Sequence, residues 1–201
     1  MLSEIELTQR QSEAAESADA ALVERLRERS AESCAELYDR YGPGIHRFAV
    51  TRLGDIQAAE DVVVETMVGA VRDIRRFNPR RSSLSAWVYG IARRRVLLEI
   101  RRRKRRKSAP AEAQVSADEI GEVSDGRDLA EGSARRLDAQ RTVAELRDAL
   151  SELEFEVLVL SCVEELSARE VGQAIRRSER AVHSILHRAK TKARERLVGD
   201  E

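Results

Sequence analysis

Aromatic residues are scarce in this sequence, at 3% of 201 residues. Any core must therefore be built from aliphatic side chains, and two modest cores suit that supply better than one large one. Runs of the β-branched kind that make strands are few. Ala, Arg, Glu, Leu and Val dominate, and charged residues reach 36%, so the expected fold class is all-α. The chain has only two cysteines, Cys34 and Cys162, each within an apolar helical stripe. Buried free thiols in a reducing compartment are expected, in place of a disulfide or a metal pair. No apolar run approaches the ~20 residues that cross a bilayer, and no signal-peptide core is present. Membrane insertion is therefore not expected, and a cytoplasmic protein is.

Catalytic constellations are missing too. There is no Gly-rich phosphate loop, no nucleophile elbow and no Cys-x-x-Cys. His183 and His187 stand four residues apart, a chelating spacing, but no Glu sits beside them in zincin order and no third ligand is evident. Two histidines on a groove-facing helix is the better reading. Glu60 with Asp61 resembles an acid pair and reads as a docking face. The sequence predicts no enzyme, no catalytic residue, no cofactor and no metal.

Net charge is also lacking, with 36 basic residues against 36 acidic ones, yet the signs are segregated. Residues 1–18 form a polar arm with little to bury. A helix is expected from Asp19, its face marked by Leu22, Leu26, Cys34, Leu37, Tyr38 and Tyr41, with Gly42-Pro43-Gly44 breaking it. Ile45–Leu53 then reads as a second helix, ended by Gly54-Asp55. In the next helix Ile56, Ala59, Val63, Met67, Ala70 and Ile74 line one face, while Glu60, Asp61 and Glu65 lie off it; Asn78-Pro79 ends it. Ser82 or Ser83 caps a further helix in which Leu84, Trp87, Val88 and Ile91 face inward.

That helix ends in a dense basic run. Residues 93–107 hold ten Arg and Lys side chains against Glu99 alone. Such self-repulsion, uncompensated nearby, calls for a polyanion. Nucleic acid is favoured over a solvated face or an anionic membrane surface, since no broad apolar stripe accompanies the charge. From Ser108 to Ala134 the sign reverses, with Glu112, Asp118, Glu119, Glu122, Asp125, Asp128 and Glu131 against Arg127. Interrupted by Pro110 and several glycines, this reads as a disordered acidic linker, either a plain spacer or a segment that imitates nucleic acid.

The last unit opens near Leu137, with Val143, Leu146 and Leu150 on one helix. Ser151 and Glu154 form a capping-box pattern before a helix carrying Phe155, Leu158, Val159, Cys162 and Leu166 on one side. A second box, Ser167 with Glu170, opens a short helix with Val171 and Ile175, and Ser178 caps the next. There Val182, Leu186, Ala189, Ala193 and Leu197 share an apolar side, opposite Ser184, His187, Arg188 and Lys190. This is a helix-turn-helix arrangement. Counted from Ala168, Val171, Gly172, Ile175, Val182 and Ile185 match the motif, and Arg176 and Arg177 do not. An ordinary packed helix pair would show the same periodicity, and the rest of the chain decides between them.

Three stretches together resemble a family. They are AELYDRYGPGIHRFAVTRLGDIQAAEDVVVETM, SLSAWVYGIARRRVLLEIRRR, and LSELEFEVLVLSCVEELSAREVG through SILHRAK. The chain resembles a bacterial sigma factor of the extracytoplasmic-function (ECF) group of the sigma-70 family, with region 2 and region 4 domains only. The likeness covers most of the chain and implies an organisation: an arm at 1–18, a region 2-like domain at 19–107, the linker at 108–136 and a region 4-like domain at 137–201. It also implies partners, namely core RNA polymerase, promoter DNA and an anti-sigma factor.

The implied roles follow by residue. Glu60, Asp61, Val64 and Glu65 would dock on the clamp helices of the polymerase largest subunit. Phe77, Asn78, Arg80, Arg81, Ser83 and Trp87 would open and read the −10 element, with Arg93, Arg94 and Arg101 gripping its backbone. The linker would run toward the RNA exit path. The last domain would bind the flap of the second-largest subunit and set Arg177, Ser178, Arg180, His183, Ser184, His187 and Arg188 at the −35 element. Departures from the family pattern are Val64 for Gln, Met67 for Phe, Arg94 for Asn, Arg176 for the turn Gly, Arg177 for an apolar residue and Ile185 for a basic one. They predict unusual promoter preference and a helix-turn-helix corner built differently. Two other readings stay open: a helix-turn-helix regulator that does not recruit polymerase, and a degenerate sigma-like protein acting mainly by protein interaction.

Overall fold

The computed structural model describes residues 18–107 and 130–198. The polar arm and most of the acidic linker lie outside the described residues. Regular structure among those described is helical, in two units. The first holds α1 (18–28), α2 (Ala31–Leu53), α3 (Ile56–Asp73) with a 3-10 turn at Ile74–Arg76, and α4 (Leu84–Lys107). The second holds α5 (Ala130–Ala149), α6 (Glu152–Cys162), α7 (Ala168–Ile175) and α8 (Glu179–Val198). Helix α5 thus begins inside the stretch expected to be linker.

The first unit departs from expectation at two places. The helix expected from Asp19 to Gly42 is split at Arg29–Ser30, where Arg29 takes a left-handed φ of 59°. Ser30 then caps α2, its Oγ accepting from the Ser33 N–H at 3.1 Å. Ser33, fully buried, donates from its own hydroxyl to the Ser30 carbonyl at 2.9 Å. A serine that can satisfy free N–H groups in this way starts a new helix more readily than it continues an old one.

The second departure is the reverse. Gly42-Pro43-Gly44 breaks nothing, and α2 runs through it to Leu53. A proline inside a helix costs about 3 kcal/mol, because it removes one hydrogen bond and crowds the carbonyl four residues back. Here Pro43 and Asp39 both face water, so solvent can satisfy that carbonyl. Tyr41, Ile45 and Phe48 on the opposite side are buried, and burying side chains of this size stabilises by about 2 kcal/mol each. Packing wins over local preference.

Helix α3 is capped by Asp55, whose Oδ1 accepts from the Ala58 N–H at 3.0 Å. That bond, with help from Arg103, holds the Asp55 carboxyl below its ordinary pKa despite some burial. Ala59, Val63, Ala70 and Ile74 are buried as the periodicity predicts, while Met67 is half-buried. Helix α4 is capped by Ser83, the second of the two candidates, through the Ala86 N–H at 3.2 Å. Tyr38 is exposed, and so is Cys162, with Cys34 half-buried. Both thiols are free, but the expectation that both are buried fails.

In the second unit both capping boxes form. Ser151 and Glu154 satisfy each other reciprocally at the start of α6, and Ser167 and Glu170 do so at α7. Helix α8 packs on α5, α6 and α7, burying Val182, Ile185, Ala189 and Ala193. Leu197, expected on that apolar side, is exposed. The units also meet each other: α4 lies against α7, and α2 touches α6. Their buried apolar residues form a continuous cluster from Leu22 to Ala189.

Candidate nucleic-acid and polymerase interfaces

The docking face predicted on α3 is open. Glu60, Asp61, Val64 and Glu65 all point to solvent. Glu65 pairs with Arg95 across to α4 at 3.2 Å. Val64 and Val68 are among the most exposed apolar side chains of the protein, at 61% and 60%. They stand one turn apart and form an apolar strip edged by acids. Val68 belongs to this face although it was not anticipated; its position four residues after Val64 was the available signal.

The −10 set divides. Phe77 is buried, its ring 5.3 Å from that of half-buried Trp87, so Phe77 supports Trp87 from beneath. Asn78 shapes the loop that follows: its Oδ1 accepts from the Arg80 N–H at 2.9 Å and its carbonyl from the Arg81 N–H at 3.0 Å. That Asx turn holds Arg80 and Arg81 in water, both exposed. Ser83 is committed elsewhere. Besides capping α4, its hydroxyl donates to Glu170 at 3.0 Å and its N–H to Gln173 at 3.3 Å, both on α7. Ser85 donates to Glu170 as well. Burial alone would raise the Glu170 pKa, but the hydrogen bonds from Ser85, Ser167 and Ser83 outweigh it and hold the carboxyl below its ordinary value.

The basic run of α4 is less free than its composition implies. Arg93 Nε meets Glu156 at 3.0 Å. Arg102 and Arg103 both engage Glu99, and Arg103 also reaches Asp55 at 2.7 Å. Lys104 meets Glu152 at 2.6 Å. The expectation of uncompensated repulsion is therefore wrong for these residues, because carboxylates from α3, α4 and α6 neutralise them. Burial opposes ionisation of Glu99, yet its bonds to Arg103 and Arg102 hold its pKa down. Arg94 and Arg101 are exposed, two turns apart on one side of the helix, and neither is tied into the carboxylate pairs just described, although the charge of Arg94 helps hold the Asp73 carboxyl below its ordinary pKa. Leu98 sits between them at 53% exposure.

The −35 set stays together. Arg177, Ser178, Arg180, His183, Ser184, His187 and Arg188 are all exposed. Ser178 caps α8 through the Ala181 N–H at 3.2 Å. His183 lies 3.9 Å from Glu179, and Arg188 3.8 Å from Glu154. Glu154 also accepts from Lys192 at 2.8 Å, and the bonds from Lys192 and Ser151 pull its pKa down to about 2. Ile185 is buried; it holds α8 on the unit's core and is not on the groove-facing side.

The corner before α8 corrects a further expectation. Arg176 occupies the turn position that favours glycine and adopts the same left-handed backbone, with φ 60° and ψ 50°. The corner keeps its shape and carries the strain. It closes because Gly172 leaves room: a Cβ there would lie 2.7 Å from the Arg177 carbonyl oxygen.

An all-α pair of units, one ending in a basic helix and the other in an exposed helix-turn-helix face, defines a DNA-binding regulator. Comparison with known proteins agrees. The family model for Sigma-70 region 2 matches residues 37–106 and that for Sigma-70 region 4 matches residues 140–192. The ECF RNA polymerase sigma factor SigW of Bacillus subtilis is 26% identical over 87% of this chain and 94% of its own. BldN of Streptomyces coelicolor, another ECF RNA polymerase sigma factor, is 27% identical over 90% of this chain, which spans 66% of BldN. Among solved structures, CnrH in complex with the cytosolic domain of CnrY superposes with a TM-score of 0.68 at 22% identity, covering 92% of this chain and 99% of CnrH. The sigma factor RpoE of Bartonella quintana, solved with the anti-sigma factor NepR, gives 0.61 at 21% identity, covering 83% and 98%. The chain belongs to the ECF group of the sigma-70 family, and it directs promoter-specific transcription.

Proposed function

We propose that this chain acts as the specificity subunit of RNA polymerase through three separate faces. The outward side of α3, with Glu60, Asp61, Val64 and Glu65, docks on the largest-subunit clamp helices. Asn78, Arg80, Arg81, Ser83, Trp87, Arg93, Arg94 and Arg101 take the −10 element, with Phe77 holding Trp87 in place. Arg177, Ser178, Arg180, His183, Ser184, His187 and Arg188 take the −35 element, while the second-largest-subunit flap receives the same unit. The functional boundaries are 19–107 and 137–201. Polymerase supplies the catalysis, so the chain itself is not an enzyme and works in the cytoplasm beside its template. An anti-sigma factor is the expected inhibitor, as RpoE is described with NepR.

The observation that carries this reading is the division of α8. Its core side, Val182, Ile185 and Ala189, is buried, and every side chain assigned to DNA on it is exposed. A merely structural helix pair has no need of a basic, histidine-bearing outer face. The preserved corner at Arg176 speaks against a degenerate protein. Run-off transcription with purified core polymerase on pooled genomic promoter fragments tests it. Transcripts sharing a −10/−35 pair are expected only when the chain is added. Failure to bind core polymerase overturns the reading.

A further inference from the structure

The core leaves a large apolar side chain of α4 unused. Ile91 and Val96 are buried and Ile100 packs at the edge of the core, but Leu98 is 53% exposed and takes no place in that cluster. The exposed valines of α3, Val64 and Val68, are edged by acids. Leu98 is edged by cations. Trp87, Arg94 and Arg101 recur every seven residues, so a helix of about 3.6 residues per turn sets them nearly in line. Leu98 and the exposed Arg105 fall within about 60° of that line. Glu99 engages Arg102 and Arg103 on the flank toward α3, and the line itself carries no carboxylate of α4.

We propose that Leu98 is a specificity-determining residue that takes the C5-methyl group of a thymine in the double-stranded part of the −10 site. The inference deepens the promoter reading above and rests on it. Arg94 and Arg101 stand about 10 Å apart along the helix axis, close to the ~12 Å width of the major groove, which admits one helix. Each can reach a phosphate on its own side of that groove, and Leu98 between them then meets the floor. Leucine has no donor and no acceptor. Set against the polar edge of guanine, adenine or cytosine, it would displace water and return no hydrogen bond. Thymine offers an apolar group at that edge. The phosphate contacts of the flanking arginines fix register without reading sequence, and the methyl contact supplies the preference.

Holoenzyme assembled from the full chain and core polymerase, on a promoter fragment recovered by the run-off assay, tests this. Each thymine across the −10 site and its upstream flank is replaced in turn by deoxyuridine, which deletes the methyl and keeps the base pair. At one position wild-type affinity is expected to fall about fourfold, as the loss of one buried methyl requires. Leu98→Ala should lose about as much on the unmodified fragment and nothing further at that position, a coupling that a change in helix stability would not produce. Leu98 carries no charge, so its loss should leave the salt slope unaltered, unlike that of Arg101. The side chain is exposed, and the variant is expected to fold as wild type does. No responding position, whether the site lacks thymine or its methyl is silent, overturns the proposal. So does an equal loss in both proteins on removing the methyl. Weaker binding of Leu98→Ala to core polymerase without DNA also overturns it, placing Leu98 against protein. If wild-type holoenzyme binds no promoter at all, the promoter reading itself fails and takes this inference with it.

Discussion

The two basic surfaces of this protein differ in a way that composition hides. The end of α4 is by far the denser, yet Arg93, Arg102, Arg103 and Lys104 are tied to carboxylates of the same chain. The outer face of α8 is sparser in charge, and every residue assigned to DNA on it is exposed. Density of like charge therefore measures how much compensation a fold must provide, and free charge is what remains after it. On α4 that remainder includes Arg94 and Arg101; on α8 it is most of the face.

The comparison can be broken at the corner that presents the second surface. Gly172→Ala puts a methyl against the Arg177 carbonyl, and overpacking against backbone costs about 3 kcal/mol. Urea denaturation should show this loss, and −35-dependent binding by holoenzyme should fall. Next in size is a contrast between neighbours. Arg93→Ala strands the buried Glu156 and costs about 2 kcal/mol, whereas Arg94→Ala should leave thermal stability within about 0.5 kcal/mol. Equal losses at both would show that the paired and free sets are not distinct.

Arg176→Gly relieves the left-handed backbone and should stabilise by about 1 kcal/mol, read as a higher denaturation midpoint at unchanged slope. The smallest effects on stability belong to Arg101→Ala and Arg180→Ala, one from each surface, at about 0.5 kcal/mol or less. Each should instead lower the slope of log affinity against log salt by about 0.9 in holoenzyme–promoter titrations, as the loss of one phosphate contact requires. A slope unchanged at Arg101 alone would confine DNA binding to α8.

What could be read from the sequence was local. Ser151 with Glu154 and Ser167 with Glu170 lie three residues apart, and both boxes form as written. The buried stripe of α3 and the exposed face of α8 follow from helical period in the same way. Pro43 was misread because its cost is local while the burial of Ile45 and Phe48 that offsets it is not. Arg176 was misread for the opposite reason: the residue changed and the backbone did not. Glu156 and Glu164 gave no signal at all. A carboxylate within or just beyond a helix looks solvent-facing until the partner that buries it, here Arg93 or Arg47, is brought up from the other unit.

The packing of Phe77 beneath Trp87 has a spectroscopic consequence. Trp87 is the only tryptophan in the chain, and it is half-buried at the edge of the surface assigned to the −10 strand. Indole emission from the unlabelled protein therefore originates at one spot. A base stacked on that ring would quench it, and loss of its tilted contact with Phe77 would shift its colour. Strand opening can be followed in real time in an otherwise unmodified factor, against whatever tryptophan background the polymerase contributes.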